Sequence, residues 1–200
     1  MPAEAVVLDP ATFLREHVAP RVRRRIEELR AQVEGLQRDL AERLAARATI
    51  RLDLEGAGGG TWYLTLEDGE MHVAEAAEGT PLLCVRQTRA DWEALARIQL
   101  GMGSAPSAGG DLTRRRVERL QTVAGTLQFR LLTDDGEHVV TVQFGGGEAS
   151  PPRCTLRVKA EDARRLQAGE LAPQAAFLQG LVKIEGDLAF AMQVGAALLM

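Results

Sequence analysis

Apolar residues recur every three or four positions near the start of the chain, and this spacing predicts a long amphipathic helix over residues 11–47. Pro20 predicts that the helix begins or kinks near that residue. Two interpretations of the apolar stripe do not exclude each other. The stripe packs on the chain's own domain, which we prefer, or its heptad-like later part dimerises as a coiled coil. The stripe consists of Phe13, Leu14, Val18, Val22, Ile26, Leu29, Val33, Leu36, Leu40 and Leu44.

Apolar and polar residues then alternate in short segments, which is typical of half-buried strands. Strands are predicted at 49–54, 62–66 and 82–85, and a helical run follows from Asp91. After this run, residues 101–110 read GMGSAPSAGG, a composition typical of a flexible connection. The connection predicts a division of the chain into two parts.

The predicted division places an N-terminal part at 1–100, a linker at 101–110 and a C-terminal part at 111–200. The order of elements in the first part returns in the second. Both contain an amphipathic hairpin, a further strand and a helix that opens with an acidic residue. This shared order indicates a duplication.

The two copies correspond segment by segment over most of their length. Residues 50–54 match 127–131, and residues 88–91 match 159–162. The second copy continues through 173–187, for which the first copy has no counterpart. The first copy is therefore expected to be a truncated version of the second.

Residues 173–194 read PQAAFLQGLVKIEGDLAFAMQV. The arrangement Ala-Phe, two residues, Gly, three residues, Ile, one residue, Gly resembles the C-terminal part of the sterol carrier protein family. These proteins are small, non-specific lipid-transfer domains. The resemblance covers about residues 110–200, and the first copy resembles the same domain without its last third.

The resemblance implies an α+β fold. We expect two related sterol-carrier-like halves, each a mainly antiparallel sheet covered by helices, after the long N-terminal helix. The resemblance also implies an apolar tunnel that accepts fatty acyl chains, acyl-CoA, isoprenoid or sterol-like molecules. Because the first copy lacks its last third, we expect the tunnel in the C-terminal half.

The tunnel requires an apolar sheet face and a cover that does not fill the space beneath it. The face is expected to consist of Phe129, Leu131, Val140, Val142, Leu156 and Val158. The cover is expected to consist of Phe177, Leu178, Val182, Ile184, Phe190, Met192 and Val194. Asp187 is expected to cap a last helix rich in small residues, which leaves space for a guest. By resemblance, Gln179 offers a hydrogen bond to a ligand head group.

Composition narrows the remaining classes of function. The net charge of -4 gives no reason to expect nucleic-acid binding. Two cysteines fit a reducing compartment, and the start of the chain lacks a secretory pattern, so we expect a cytoplasmic protein. The bias toward Ala, Arg, Leu and Gly suggests a bacterial source. Three histidines without ligand spacing predict no metal site, and the sequence contains no nucleophile or cofactor motif.

The sequence therefore predicts a carrier of an apolar ligand that is not an enzyme and needs no cofactor. One alternative is a ligand-free interaction or scaffold protein that dimerises through the N-terminal helix. Another is an accessory factor that presents a lipid intermediate to a biosynthetic enzyme. The expected partners are a small apolar ligand and a second copy of the chain. Membrane contact is expected to be transient, without stable insertion.

Overall fold

The computed structural model describes residues 9–76, 79–97, 112–146 and 150–199. It divides into two compact units, residues 1–41 and residues 42–200. The predicted linker at 101–110 lies outside the described residues.

The N-terminal helix consists of three consecutive segments: α1 (Pro10–Phe13), a π-helical turn (Leu14–Val18) and α2 (Ala19–Leu44). The carboxylate of Asp9 caps α1 by accepting a hydrogen bond from the Thr12 backbone N–H at 2.9 Å. The π-helical turn ends at Val18, two residues before Pro20. Proline has no N–H to donate, and a wider turn is one way for a helix to accommodate the missing bond. The predicted interruption is therefore a π-bulge within a continuous helix.

The remaining described elements belong to the 42–200 unit. The strands are β1 (Ala48–Glu55), β2 (Gly60–Glu67), β3 (Glu70–Ala74), β4 (Leu83–Thr88), β5 (Gly125–Thr133), β6 (Gly136–Phe144), β7 (Cys154–Lys159) and β8 (Val182–Gly186). The helices are α3 (Arg89–Arg97), α4 (Arg114–Leu120), α5 (Ala160–Gln167), α6 (Pro173–Leu178) and α7 (Leu188–Leu199).

The strands form one eight-stranded sheet in the order β3-β2-β1-β4-β6-β5-β7-β8. The duplication is visible in its pairings. β1 pairs antiparallel with β2 and parallel with β4, and β5 pairs antiparallel with β6 and parallel with β7. Ile50 lies between Leu64 and Leu83, and the matching Leu127 lies between Val142 and Cys154.

The two copies meet where β4 pairs antiparallel with β6, in the register Leu83–Phe144 and Val85–Val142. In the second copy, the strand equivalent to β4 is β7, and its outer edge is covered by β8. In the first copy, β6 of the second copy occupies that position. The two copies therefore share one continuous sheet.

One face of the sheet is apolar and the other is polar, because side chains alternate along each strand. Ile50, Leu83, Val85 and Leu127 are buried on the apolar face. The polar face holds arginine–carboxylate pairs. Their closest contacts are Arg51 Nε–Asp53 Oδ1 at 2.8 Å, Arg130 Nη1–Glu137 Oε1 at 2.7 Å and Arg157 Nη2–Glu137 Oε2 at 3.3 Å.

Candidate functional site

The side chains predicted to form the binding face lie together on the apolar side of the sheet. Phe129 faces Val140 on β6 and Leu156 on β7. The register extends this surface across neighbouring strands. The other residues predicted for this face are Leu131, Val142 and Val158. Val182 and Ile184 were predicted for the cover, but they lie on β8, where they extend the sheet face instead.

An apolar cavity of about 70 Å³ lies on this face, at the junction of the two copies. Three predicted residues line it: Phe129, Val140 and Val142. The rest of the lining was not predicted as part of the site and consists of Leu83, Val85, Phe144 and Leu198. β4 therefore contributes to the cavity, although we expected the tunnel in the C-terminal half alone. The apolar run at residues 82–85 predicts a strand, but it carries no information about the pairing of that strand with β6.

Helix α7 covers the C-terminal part of the apolar face. Its side chains Phe190, Val194 and Ala197 are buried in the common core. The Phe190 ring packs edge-on against Phe144, with 6.5 Å between the ring centroids. These contacts anchor α7 in the core.

The start of α7 is held by a capping hydrogen bond and by contacts with Arg153. Asp187 Oδ1 accepts a hydrogen bond from the Phe190 backbone N–H at 2.9 Å, which confirms the predicted cap. Arg153 donates to Asp187 Oδ2 at 2.6 Å, and its guanidinium lies 4.5 Å from the centroid of the Phe190 ring. The Phe190 N–H and the Arg153 bond lower the pKa of Asp187 from its ordinary value. Gly186, just before the cap, has a φ of 95°, which favours glycine.

Eleven of the fourteen predicted site residues do not line the cavity, including all seven cover residues and Gln179. Four of these eleven have exposed side chains. Phe177 is 46% exposed, Leu178 is 84% exposed, Met192 is 68% exposed, and Gln179 is also exposed. In α6 the fully buried side chain is Ala176. Because each helical residue is rotated by about 100° from the one before, the next two residues point away from the core.

A histidine, a threonine and an aspartate form a cluster that the sequence analysis did not single out. His138 Nδ1 lies 2.9 Å from Asp91 Oδ1, and His138 Nε2 lies 3.1 Å from Thr133 Oγ1. Thr133 Oγ1 also donates to the Gly136 carbonyl at 3.1 Å, which closes the hairpin between β5 and β6. Asp91 lies at the start of α3, where its N–H donates to Thr88 Oγ1. The cluster therefore joins the first copy's helix to the second copy's hairpin.

The part of the chain that the structure describes was also searched for metal ligands, reactive thiols and membrane-spanning helices. No group of three or more His, Cys, Asp or Glu side chains there is placed to hold a metal ion. Both cysteines are free, and burial raises the pKa of the Cys84 and Cys154 thiols. No helix among the described residues is both long and apolar enough to cross a bilayer.

A family model described as the SCP-2 sterol transfer family matches the chain twice, at residues 26–109 and 111–199. The two matches confirm the predicted repeat. None of the curated proteins compared with the chain matches it.

Solved structures of sterol carrier domains are similar to parts of the chain. Sterol Carrier Protein 2 Like 2 from Aedes aegypti is 22% identical, with a TM-score of 0.34, over 56% of this chain and 98% of its own. Its palmitated form is 20% identical, with a TM-score of 0.36, over 57% and 96%. Sterol carrier protein domain 2 of Helicoverpa armigera is 20% identical, with a TM-score of 0.36, over 60% and 91%.

Proposed function

Because the chain belongs to the SCP-2 sterol transfer family, we propose that it binds and carries an apolar lipid-like ligand on the apolar sheet face beneath α7. The ligand class is an acyl chain, acyl-CoA, isoprenoid or sterol-like molecule. One observation carries the proposal: an apolar cavity, lined by both copies, lies on the face where ligand-binding residues were predicted. The lining offers contact with hydrocarbon and has no charged side chain.

The cavity is smaller than a lipid, so the ligand has to displace part of its cover. Pockets for small molecules usually measure about 300–1,000 Å³, against about 70 Å³ here. Burying a dozen methylenes gains about 10 kcal/mol at about 0.8 kcal/mol each. Uncovering three apolar side chains of α7 costs about 5–9 kcal/mol at about 1.5–3 kcal/mol each. The two amounts are of similar size, so a ligand that takes over the contacts of α7 offsets most of the cost of displacing the helix.

The exposed apolar residues near the C-terminus suggest how the ligand is exchanged. Leu188 and Met192 lie one turn apart on α7 and are both exposed, as are Phe177 and Leu178 at the end of α6. We propose that these side chains touch a membrane briefly while α7 is displaced, without stable insertion. Gln179, exposed directly after α6, is available to a polar head group.

The test compares two substitutions of neighbouring valines on β6. Val140→Phe fills the cavity, because Val140 lines it. Val139→Phe is the matched control, because Val139 faces the opposite side of the same strand, opposite Arg130. The purified full chain and both variants are extracted with organic solvent and analysed by mass spectrometry. Uptake of added palmitate is then measured for the same three proteins.

We expect the native chain and Val139→Phe to retain lipid and to take up palmitate, and Val140→Phe to do neither. Circular dichroism and thermal unfolding establish that both variants are folded. The proposed site is wrong if Val140→Phe and Val139→Phe bind palmitate equally well. The proposed function is wrong if the native chain yields no lipid and takes up neither palmitate nor a sterol.

A further inference from the structure

The apolar stripe of the N-terminal helix is open to solvent. Its side chains are between 37% and 69% exposed: Phe13, Leu14, Val18, Val22, Ile26, Leu29, Val33, Leu36, Leu40 and Leu44. The described residues of the 1–41 unit, 9–41, lie on this single helix and its cap, so among them there is no second element on which the stripe packs. An exposed apolar surface of this length marks an interaction site.

The spacing within α2 identifies the kind of partner. From Val22 to Leu40 the apolar residues alternate in steps of four and three, which is the seam of a two-stranded coiled coil. The a positions are Ile26, Val33 and Leu40, and the d positions are Val22, Leu29 and Leu36. This narrow stripe of a and d residues is a surface that one further helix of the same pattern can cover.

The seam is self-complementary. Its spacing reads the same in both directions about Ala31, so two antiparallel copies place each a residue beside a d residue. Val18 and Leu44 extend the symmetry by one further step at each end. A two-fold interface requires this reciprocity, in which residue i contacts j and j contacts i. A second copy of the chain can therefore cover the stripe from Val18 to Leu44.

The flanking charges distinguish the two orientations of such a pair. In an antiparallel pair, Arg25 of each helix lies near Asp39 of the other, which gives two attractive pairs and one repulsive pair between the Arg30 side chains. In a parallel pair, Arg25 lies beside Arg30 of the other helix, which gives two repulsive pairs. The antiparallel orientation is therefore favoured.

We propose that two copies of the chain associate through an antiparallel coiled coil of their N-terminal helices. The contact includes the length of α2, which at 26 residues is about 39 Å. Self-association does not depend on lipid binding, so a result that contradicts one of the two proposals does not contradict the other.

The first test measures the dissociation constant of the full chain by sedimentation equilibrium. Leu29→Asp places a charge in the middle of the seam and is expected to raise the constant at least about tenfold. Ala31→Asp is the matched control: it has the same helix-weakening side chain two residues away, outside the seam, and is expected to leave the constant unchanged. A native chain that is monomeric at every concentration overturns the proposal. So does an equal loss of association in the two variants.

The second test settles the orientation. Arg25→Asp and Asp39→Arg each replace attraction with repulsion in the antiparallel pair, so each is expected to weaken association. The double variant exchanges the charges and is expected to restore it. In a parallel pair, Arg25→Asp would instead face Arg30 and strengthen association, a result that overturns the antiparallel arrangement.

Discussion

Arg153 makes three contacts that hold the start of α7 against the sheet. It donates to the Ala124 carbonyl at 3.2 Å and to Asp187, and it lies over the Phe190 ring. Arginine suits this position because its planar guanidinium donates in several directions at once and stacks on a ring. A single side chain therefore connects the loop before β5 with the cap of the covering helix.

The lowered pKa of Asp187 predicts how this connection depends on pH. Asp187→Asn keeps an oxygen for the Phe190 N–H but removes the charge that Arg153 contacts. Because the folded-state pKa lies below the ordinary value of 3.8, the charge stabilises the fold above that pH, and its contribution is lost as the pH falls through the folded-state pKa. We expect Asp187→Asn to lower the melting temperature at neutral pH, by an amount that shrinks in strong acid.

Thermal unfolding of the two proteins between neutral and strongly acidic pH measures this difference. Asp134→Asn, in the exposed turn between β5 and β6, is the control and is expected to behave like the native chain. A difference between native and Asp187→Asn that stays constant with pH would contradict a role for the carboxylate charge.

At the scale of elements, α7 has to be stable enough to cover the face and weak enough to be displaced. Gly195 lies in the interior of α7, where glycine costs about 1 kcal/mol relative to alanine. A methyl group there meets no atom within 4 Å. We therefore expect Gly195→Ala to raise the free energy of unfolding by up to about 1 kcal/mol and to slow palmitate uptake.

Denaturant unfolding and stopped-flow uptake of palmitate measure the two effects of Gly195→Ala. Gly35→Ala is the matched control, since Gly35 lies inside α2 and a methyl group there also meets no atom within 4 Å. We expect this control to leave the uptake rate unchanged. If Gly195→Ala stabilises the protein without slowing uptake, palmitate does not enter by local unfolding of α7.

A feature of these elements could be predicted from the sequence only where residues close to it in the chain determine it. The predicted strands and the predicted Asp187 cap are present, because alternation and a side chain beside its own helix are local causes. Strands β3 and β8 were not predicted. The pairing of β4 with β6 joins two sheet edges that are distant in the sequence. The sequence around Leu83 and Val85 therefore could not predict that these residues line the cavity. The exposure of Leu178 was also not predictable, because α6 is too short to fix which side faces the core.

At the scale of the whole molecule, the two copies complete each other. The described first copy has no strand matching β8, and the described second copy has none matching β3, so each copy has a sheet edge that the other can cover. β4 and β6 meet through these two edges, and the apolar cavity lies across them. An unpaired edge beside an apolar face would favour association with other chains. The first copy therefore supports the second, although its described residues contain no counterpart of β8.

This arrangement predicts that the second copy does not fold alone, although the family model matches it at residues 111–199. A fragment of residues 112–200 loses Leu83 and Val85 from the cavity lining and exposes the edge of β6. We expect it to aggregate or to show no cooperative unfolding transition, as measured by gel filtration and circular dichroism. Residues 42–200, which retain the whole sheet and the Glu42–Arg114 ion pair, are the control and are expected to unfold cooperatively. A cooperative, monomeric 112–200 fragment that binds palmitate would show that the binding face needs only one copy.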